Sequence, residues 1–336
     1  MALRDVIGQE RAVNILLRTI QRGRIPSSYL FVGESGIGKK FAALNFAKAL
    51  NCLTPPSPPL SKGGVIDACD ECSSCKKIDS RVHPDFLLIS PEDGQTRIEE
   101  IRAIDDMLSF KPFEGKKKVV IVDEADSMNP YAANAFLKTL EEPPKDSLII
   151  LISSNPDRLP DTIRSRCSRV NFTPLSHEAC KKVIETVNQQ SGVRSQESGV
   201  KKRLSTLVRL SMGRPGLVIS VDLIEERAWF LKLLQGMLKT EKDGWTSKEE
   251  MERWFDLMVI LLRDAAIIKI TQDEKNLINI DLKDYIKKFS SSMDLKVIIE
   301  NYQKLNTLRG YLNFNLNRSL TWNYTGSILR KLKTED

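Results

Sequence analysis

Gly33-Glu-Ser-Gly36-Ile-Gly38-Lys39-Lys40 has the spacing of a phosphate-binding loop, G-x-x-x-x-G-K-[S/T], in all but its last residue. Glycines at these positions let backbone N–H groups close around an anion, and a helix starting at the lysine adds partial positive charge. Lys39 is placed to reach terminal phosphates. The last position departs from the pattern. Lys40 stands where a Ser or Thr hydroxyl would ligate Mg²⁺, and an ammonium group repels a cation instead of binding it. The loop therefore reads as able to hold phosphate, with ATP/Mg²⁺ the nucleotide in question, but poorly equipped for metal-assisted turnover. Read without its neighbours, it is a glycine-rich turn between strand and helix.

About 85 residues on, the apolar run Val119-Val-Ile-Val122 ends in Asp123-Glu124-Ala-Asp126. A carboxylate at such a strand end can bind Mg²⁺, and the next can orient or deprotonate an attacking water. The plainer role for Asp123 or Asp126 is a helix N-cap. Cys69-Asp-Glu-Cys72-Ser-Ser-Cys75, with Cys52 upstream, offers four thiolates suited to tetrahedral Zn²⁺. An iron–sulfur cluster is the alternative for this spacing, and disulfides fit a reducing compartment least well. Four protein ligands leave no open position for water, so the metal is expected to be structural. Cys167 and Cys180 read as buried, small apolar side chains. His83 and His177, the only histidines, are too isolated for a hydrolase triad or a histidine metal site. His83-Pro84-Asp85 reads as turn chemistry.

The elements that must hold these groups show as an alternation of two periods. Short apolar runs at 29–32, 86–89, 119–122, 148–152 and 170–172 read as strands buried on both faces. Helical patterns at 9–21, 39–50, 98–108 and 130–140 lie between them, the last opened by Pro130 and stopped by Pro143-Pro144. The class is α/β with a parallel sheet. Residues 55–64, rich in Pro, Gly and Ser, read as an exposed loop insertion that lengthens the gap between Cys52 and Cys69. Two helices are expected at 178–190 and 201–212, separated by a polar stretch at 189–198. Beyond about 223 the pattern is helical throughout, with Trp229, Trp245, Trp254 and Trp322 packing a separate all-α domain.

With 336 residues, 41% of them hydrophobic and 28% charged, the chain has core material for two or three domains. The net charge of +7 permits nucleic-acid contact but is spread along the chain. No N-terminal apolar run suggests a signal peptide, and the apolar runs at 148–152 and 257–262 are too short to span a bilayer, so no membrane association and a cytoplasmic location are expected.

The run Asp123-Glu-Ala-Asp-Ser-Met-Asn-Pro-Tyr-Ala-Ala-Asn-Ala-Phe-Leu-Lys-Thr-Leu-Glu-Glu-Pro-Pro144 resembles the acidic motif and following helix of the AAA+ clamp-loader family of bacterial DNA polymerase III. The likeness continues through 152–160 to Ser165-Arg166-Cys167, which is similar to that family's Ser-Arg-Cys motif. Val6-Ile-Gly-Gln-Glu10 resembles the box that lies against the adenine. The likeness is strong over roughly 1–220 and general beyond. It implies an AAA+ nucleotide-binding domain at 1–174 carrying a zinc module at about 52–75, a helical lid at 175–222 and an oligomerisation collar at 223–336. It also implies that Arg166 is an arginine finger acting in trans, a role for which a forked, permanently charged guanidinium is suited. Ser154, or its neighbours Ser153 and Asn155, falls near a γ-phosphate sensor, and Gly216 occupies the slot of a second sensor arginine. Lys40 and Gly216 favour a stator subunit over an active motor ATPase, the alternative that Lys39, Asp123 and Glu124 support. The implied partners are gamma/tau-type motor and delta-type subunits, with the sliding clamp and primed DNA reached through the complex. A stand-alone zinc-dependent DNA-binding protein would need a basic or aromatic cluster around the cysteines. Along the chain, that neighbourhood is acidic, through Asp67, Asp70 and Glu71.

Overall fold

The computed structural model describes residues 2–55, 67–91, 94–190, 198–219, 222–239, 244–312, 314 and 316–330. The Pro-rich stretch beyond Pro55 and residues 191–197 of the polar stretch lie outside the described residues. The chain divides into two compact units, Met1–Thr186 with Gly213–Leu217, and Val187–Met212 with Val218–Asp336.

The first unit is built on β1 (Ser28–Val32), β2 (Phe86–Ile89), β3 (Lys118–Val122), β4 (Ser147–Ser153) and β5 (Ser168–Asn171). They form one parallel sheet in the order β2-β3-β4-β1-β5. β1, β3 and β4 are buried along their whole length, which is why they read as unbroken apolar runs and take the central places. β2 and β5 are only partly buried and lie at the edges. Val32 pairs with Ser153 and Val122 with Leu151, so the turns leaving β1, β3 and β4 all emerge on one side of the sheet. In open α/β sheets that side is where ligands gather.

The helices α1 (Glu10–Arg22), α2 (Lys39–Asn51), α3 (Ser73–Asp79), α4 (Ile98–Leu108), α5 (Pro130–Glu141) and α6 (Asp161–Arg164) fill the connections. Asn129 caps α5 by accepting from the Ala132 N–H at 2.8 Å, and Pro130 takes the first helical position, where no N–H is needed. α4 and α5 cover one face of the sheet through Ile101, Ile104, Ala132 and Phe136, all fully buried, against Leu30, Val120 and Ile149. On the other face Tyr29 meets Phe46 of α2 with ring centroids 5.6 Å apart, and Phe31 meets Phe172 at 5.1 Å.

The turn at His83-Pro84-Asp85 does more than reverse the chain. The fully buried Asp85 carboxylate accepts from the N–H groups of Phe113, Glu114 and Gly115 at 2.7, 2.8 and 2.7 Å. Burial works against its charge, but the three amides together hold its pKa below the ordinary carboxylate range. A depressed folded-state pKa stabilises the fold above about pH 4, and the contribution is lost as pH falls through the lower folded value. Asp85→Ala should cost about 2–4 kcal/mol in urea unfolding at pH 7 and much less near pH 2. An unchanged midpoint at pH 7 would show that water replaces the carboxylate without loss.

Past β5 no strand follows among the described residues. α7 (His177–Gln190), α8 (Ser198–Ser211), α9 (Gly216–Ile219), α10 (Leu223–Leu238), α11 (Lys248–Thr271), α12 (Lys283–Ser291), α13 (Leu295–Tyr311) and α14 (Arg318–Arg330) complete the chain. In the second unit Trp245 meets Trp254 at 5.6 Å and Trp322 at 5.0 Å between ring centroids, and Trp229 packs against the cluster they centre. The fully buried Asp264 of α11 accepts from the Asn279 N–H at 2.7 Å and from its side-chain amide at 2.9 Å, which fixes the loop before α12. No helix among the described residues is long and apolar enough to cross a membrane.

Candidate functional site

The phosphate loop leaves β1 at Gly33, and the backbone there has a physical need for glycine. Gly36 and Gly38 have φ of +78° and +95°, and a Cβ on Gly33 would stand 2.5 Å from the Phe172 carbonyl oxygen. Lys39 opens α2 with only 6% of its surface exposed. Its ammonium donates to the carbonyls of Gly33 and Glu34, the latter at 2.6 Å. Burial pulls the Lys39 pKa down, against the pull of Asp123, Asp126, Glu124 and Glu34. Beside it the Lys40 ammonium lies 3.0 Å from the Asp123 carboxylate and 3.1 Å from the Ser90 hydroxyl. The strand-end carboxylate that could ligate a metal thus holds a tethered cation. With the loop's last hydroxyl also replaced, this donor set suits an anion and does not fit Mg²⁺.

Glu124 has a left-handed backbone, φ +46°, at the turn leaving β3. Its pKa is raised by burial and by the charges of Asp123 and Asp126, and Lys40 and Lys39 oppose the rise. Asp126 accepts from the Ser154 N–H at 3.2 Å, so the turn after β4 is joined to the acidic corner through a backbone amide. Ser153 is fully buried and its hydroxyl finds no partner among the described residues.

The amino-acid sequence places Gln9 in the N-terminal box and Gly216 in a sensor slot, but not the contacts that they and Arg214 make with this loop. Gln9, 3% exposed, donates to the carbonyls of Ile37 and Thr173 at 3.1 and 2.8 Å and so ties the loop to the end of the sheet. The Gly216 N–H donates to the Gly36 carbonyl at 2.9 Å, and a Cβ on Gly216 would come within 3.0 Å of Gly36, so no arginine fits that slot without displacing the loop. The arginine that does reach the loop is Arg214, 3.4 Å from the Glu34 carboxylate. Arg166 stands apart, just past α6. Its guanidinium pairs with Glu141 at 2.6 Å and donates to the Thr162 carbonyl at 2.7 Å, and no residue of its own phosphate loop is among its partners.

The cysteines converge because two helix ends meet. Cys52 caps the end of α2 and Cys72 caps the start of α3. The sulfurs of Cys52, Cys69, Cys72 and Cys75 all lie within 4.8 Å of one another, with Cys52 and Cys72 4.0 Å apart. A tetrahedron of Zn–S bonds of about 2.3 Å has sulfur–sulfur edges of about 3.8 Å, so the four fit one metal ion. Backbone N–H groups of Cys69 and Cys72 donate to the sulfurs of Cys52 and Cys69 at 3.4 and 3.3 Å, the contacts that favour thiolates. The Thr54 hydroxyl leads the causes that lower the Cys69 pKa to about 6. Lys48, 1% exposed, braces the cluster from α2 through Asp70 at 2.5 Å and Asp79 at 3.0 Å. Asp67, fully buried, accepts from the Leu3 and Arg4 N–H groups at 2.9 and 3.0 Å and fastens the N-terminal segment to the module.

A sequence model described as DNA polymerase III, delta subunit, matches residues 8–176, and one described as its C terminal matches residues 223–325. The DNA polymerase III subunit delta' of Bacillus subtilis (strain 168) is 32% identical over 291 residues, covering 83% of each chain. This chain belongs to the DNA polymerase III delta-prime clamp-loader family. The family's Pseudomonas aeruginosa subunit is 29% identical over 311 residues, covering 89% of this chain and 90% of that one. The likeness extends to the tau subunit of Bacillus subtilis, 38% identical over 175 residues, though there it covers 52% of this chain and 30% of the other.

Proposed function

We propose that this subunit is the stator of its clamp loader, lending geometry and a charge to a neighbour instead of hydrolysing ATP itself. The observation that carries the reading is the 3.0 Å pair between Lys40 and Asp123, which puts a fixed ammonium on the carboxylate a metal would need. The loop keeps Gly33, Gly36, Gly38 and Lys39 for an anion, and Asp123 and Glu124 are left without the metal through which they would act. Arg166, on the surface and held by a single carboxylate, is the group offered in trans to a gamma/tau-type motor subunit. The helices from α10 onward join the collar, a delta-type subunit completes the ring, and the sliding clamp and primed DNA are engaged through the complex. A metal held by Cys52, Cys69, Cys72 and Cys75 supplies cross-linking of α2 to α3 and no reaction step.

Steady-state ATP hydrolysis by the purified chain, with Mg²⁺ and primed DNA, should sit at background and be unaffected by Lys39→Ala. Lys40→Thr frees Asp123 and restores a hydroxyl, so it is expected to give nucleotide binding that depends on Mg²⁺ in calorimetry. Turnover near 1 s⁻¹, a rate ordinary for an enzyme, that disappears in Lys39→Ala would make this a motor subunit and end the stator reading.

A further inference from the structure

Phe110 and Phe113 are 74% and 85% exposed, yet the loop that carries them is fixed by buried polar groups. Five successive backbone N–H groups are spoken for. Phe113, Glu114 and Gly115 donate to Asp85, and Lys116 and Lys117 donate to the Asn51 side-chain oxygen at 2.9 Å each. Asn51 returns a bond to the Lys117 carbonyl at 2.9 Å, and a Cβ on Gly115 would approach its side-chain oxygen to 2.9 Å. The Lys118 ammonium lies 5.7 Å from the Phe110 ring centroid and covers one face of it. These buried bonds fix the backbone from Phe113 onward, and Lys118 lies over the Phe110 ring, so much of the ordering cost of a contact is met in advance.

The chemistry around the two rings is basic. Lys77 of α3 bonds Glu114 at 2.7 Å, which brings the end of α3 alongside the loop. Lys76, Arg81, Lys111 and Lys116 are exposed there. Of the nearby acids, Glu114 pairs with Lys77, Asp79 with Lys48, and Asp105 accepts from Thr139, while Asp106 is exposed on α4, so cations still outnumber exposed acids. The patch joins residues 76–81 to residues 110–117, about 30 positions apart, so the basic and aromatic surface beside the cysteines is invisible along the chain and is assembled only by folding.

We infer that this surface binds single-stranded nucleic acid, with bases stacking on Phe110 and Phe113 and phosphates neutralised by Lys111, Lys116 and Arg81. Exposed rings beside lysines suit a single strand, whose bases are free to stack, whereas a duplex presents only phosphates to them. The excess of exposed cations over exposed acids among the described residues favours a polyanion over an apolar protein groove, which would have to strip their hydration.

The test uses the full-length chain and a fluorescent oligothymidylate of about 20 nucleotides, followed by anisotropy between about 50 and 200 mM salt. Phe110→Ala combined with Phe113→Ala should weaken binding about tenfold or more at unchanged salt dependence. Lys111→Gln with Lys116→Gln should instead reduce the slope of log K against log salt by about 1.4, roughly 0.7 for each phosphate that no longer has a lysine beside it. Both rings are exposed, so the thermal midpoint should not move, and that measurement guards against misfolding. The proposal is overturned if the wild-type chain fails to bind the oligomer at the lower salt, or if the phenylalanine variant binds it as tightly as wild type. It is equally overturned if that variant keeps the oligomer and loses only a protein partner of the clamp loader, because the rings are then anchors for protein.

Discussion

Arg166→Ala, introduced into the assembled clamp loader, is expected to slow ATP hydrolysis at the neighbouring site it faces by about a thousandfold or more. The size follows from the proposed role: a guanidinium offered in trans forks onto phosphate oxygens as negative charge develops in phosphoryl transfer. Arg166→Lys should recover little, since an ammonium is a point charge without the fork. In the free chain Arg166 is parked on Glu141 at 2.6 Å, with its side chain 35% exposed and that of Glu141 49% exposed. An ion pair this accessible is worth under about 1 kcal/mol, so it restrains the guanidinium weakly and the variant should fold and assemble normally. Glu141→Gln is the control that separates the two roles of the arginine. It removes the parking contact and should leave single-turnover hydrolysis intact. Equal single-turnover rates for wild type, Arg166→Ala and Arg166→Lys would reduce Arg166 to a surface ion pair.

Removing the metal should have the other large effect, and it should be felt away from the cysteines. Structural zinc sites in small domains hold about 10–16 kcal/mol of binding free energy, and breaking one ligand forfeits most of it. Here the parallel sheet has its own core, so the expected result of Cys75→Ser or of exhaustive chelation is local opening of the module. Asp67 sits two residues before Cys69 and holds the Leu3 and Arg4 amides. Their hydrogen exchange should accelerate about a hundredfold or more once the module opens, the equivalent of about 3 kcal/mol of local stability. Metal analysis should give one zinc per chain. A brown protein carrying iron would assign the four thiolates to a cluster instead. Exchange at Leu3 that ignores Cys75→Ser would show that the N-terminal segment is held without the module.

The elements of the first unit were legible because their determinants are local. A central parallel strand is buried on both faces, so its composition alone marks it, and the predicted run at 119–122 matches β3 to within one residue. Edge strands are less marked. β5 begins at Ser168 and ends at Asn171, displaced from the apolar run at 170–172, because only Val170 in it is buried. The short α3 went unread because Ser73–Asp79 is only two turns long, with Cys75 and Ile78 its sole buried apolar side chains, and is braced through Asp79 by Lys48. Three cysteines at two-residue spacers with Cys52 upstream announced a metal site, and the convergence of the four within 4.8 Å agrees with that reading.

By itself the amino-acid sequence determined the parallel α/β class, the helical second half, the glycine loop with its misplaced lysine and the thiolate set, since each is written in residues close together along the chain. Only the tertiary structure decided what the charges do. Lys40 and Asp123 are 83 residues apart in number and 3.0 Å apart in space. Arg214 meets Glu34, Asp67 grips the N-terminal segment, and Asp85 with Asn51 fixes a loop that presents two phenylalanines. Local patterns set secondary structure through backbone preference and burial period. Pairings between charges depend on which turns the sheet order brings to one side, and that order is a property of the packed core.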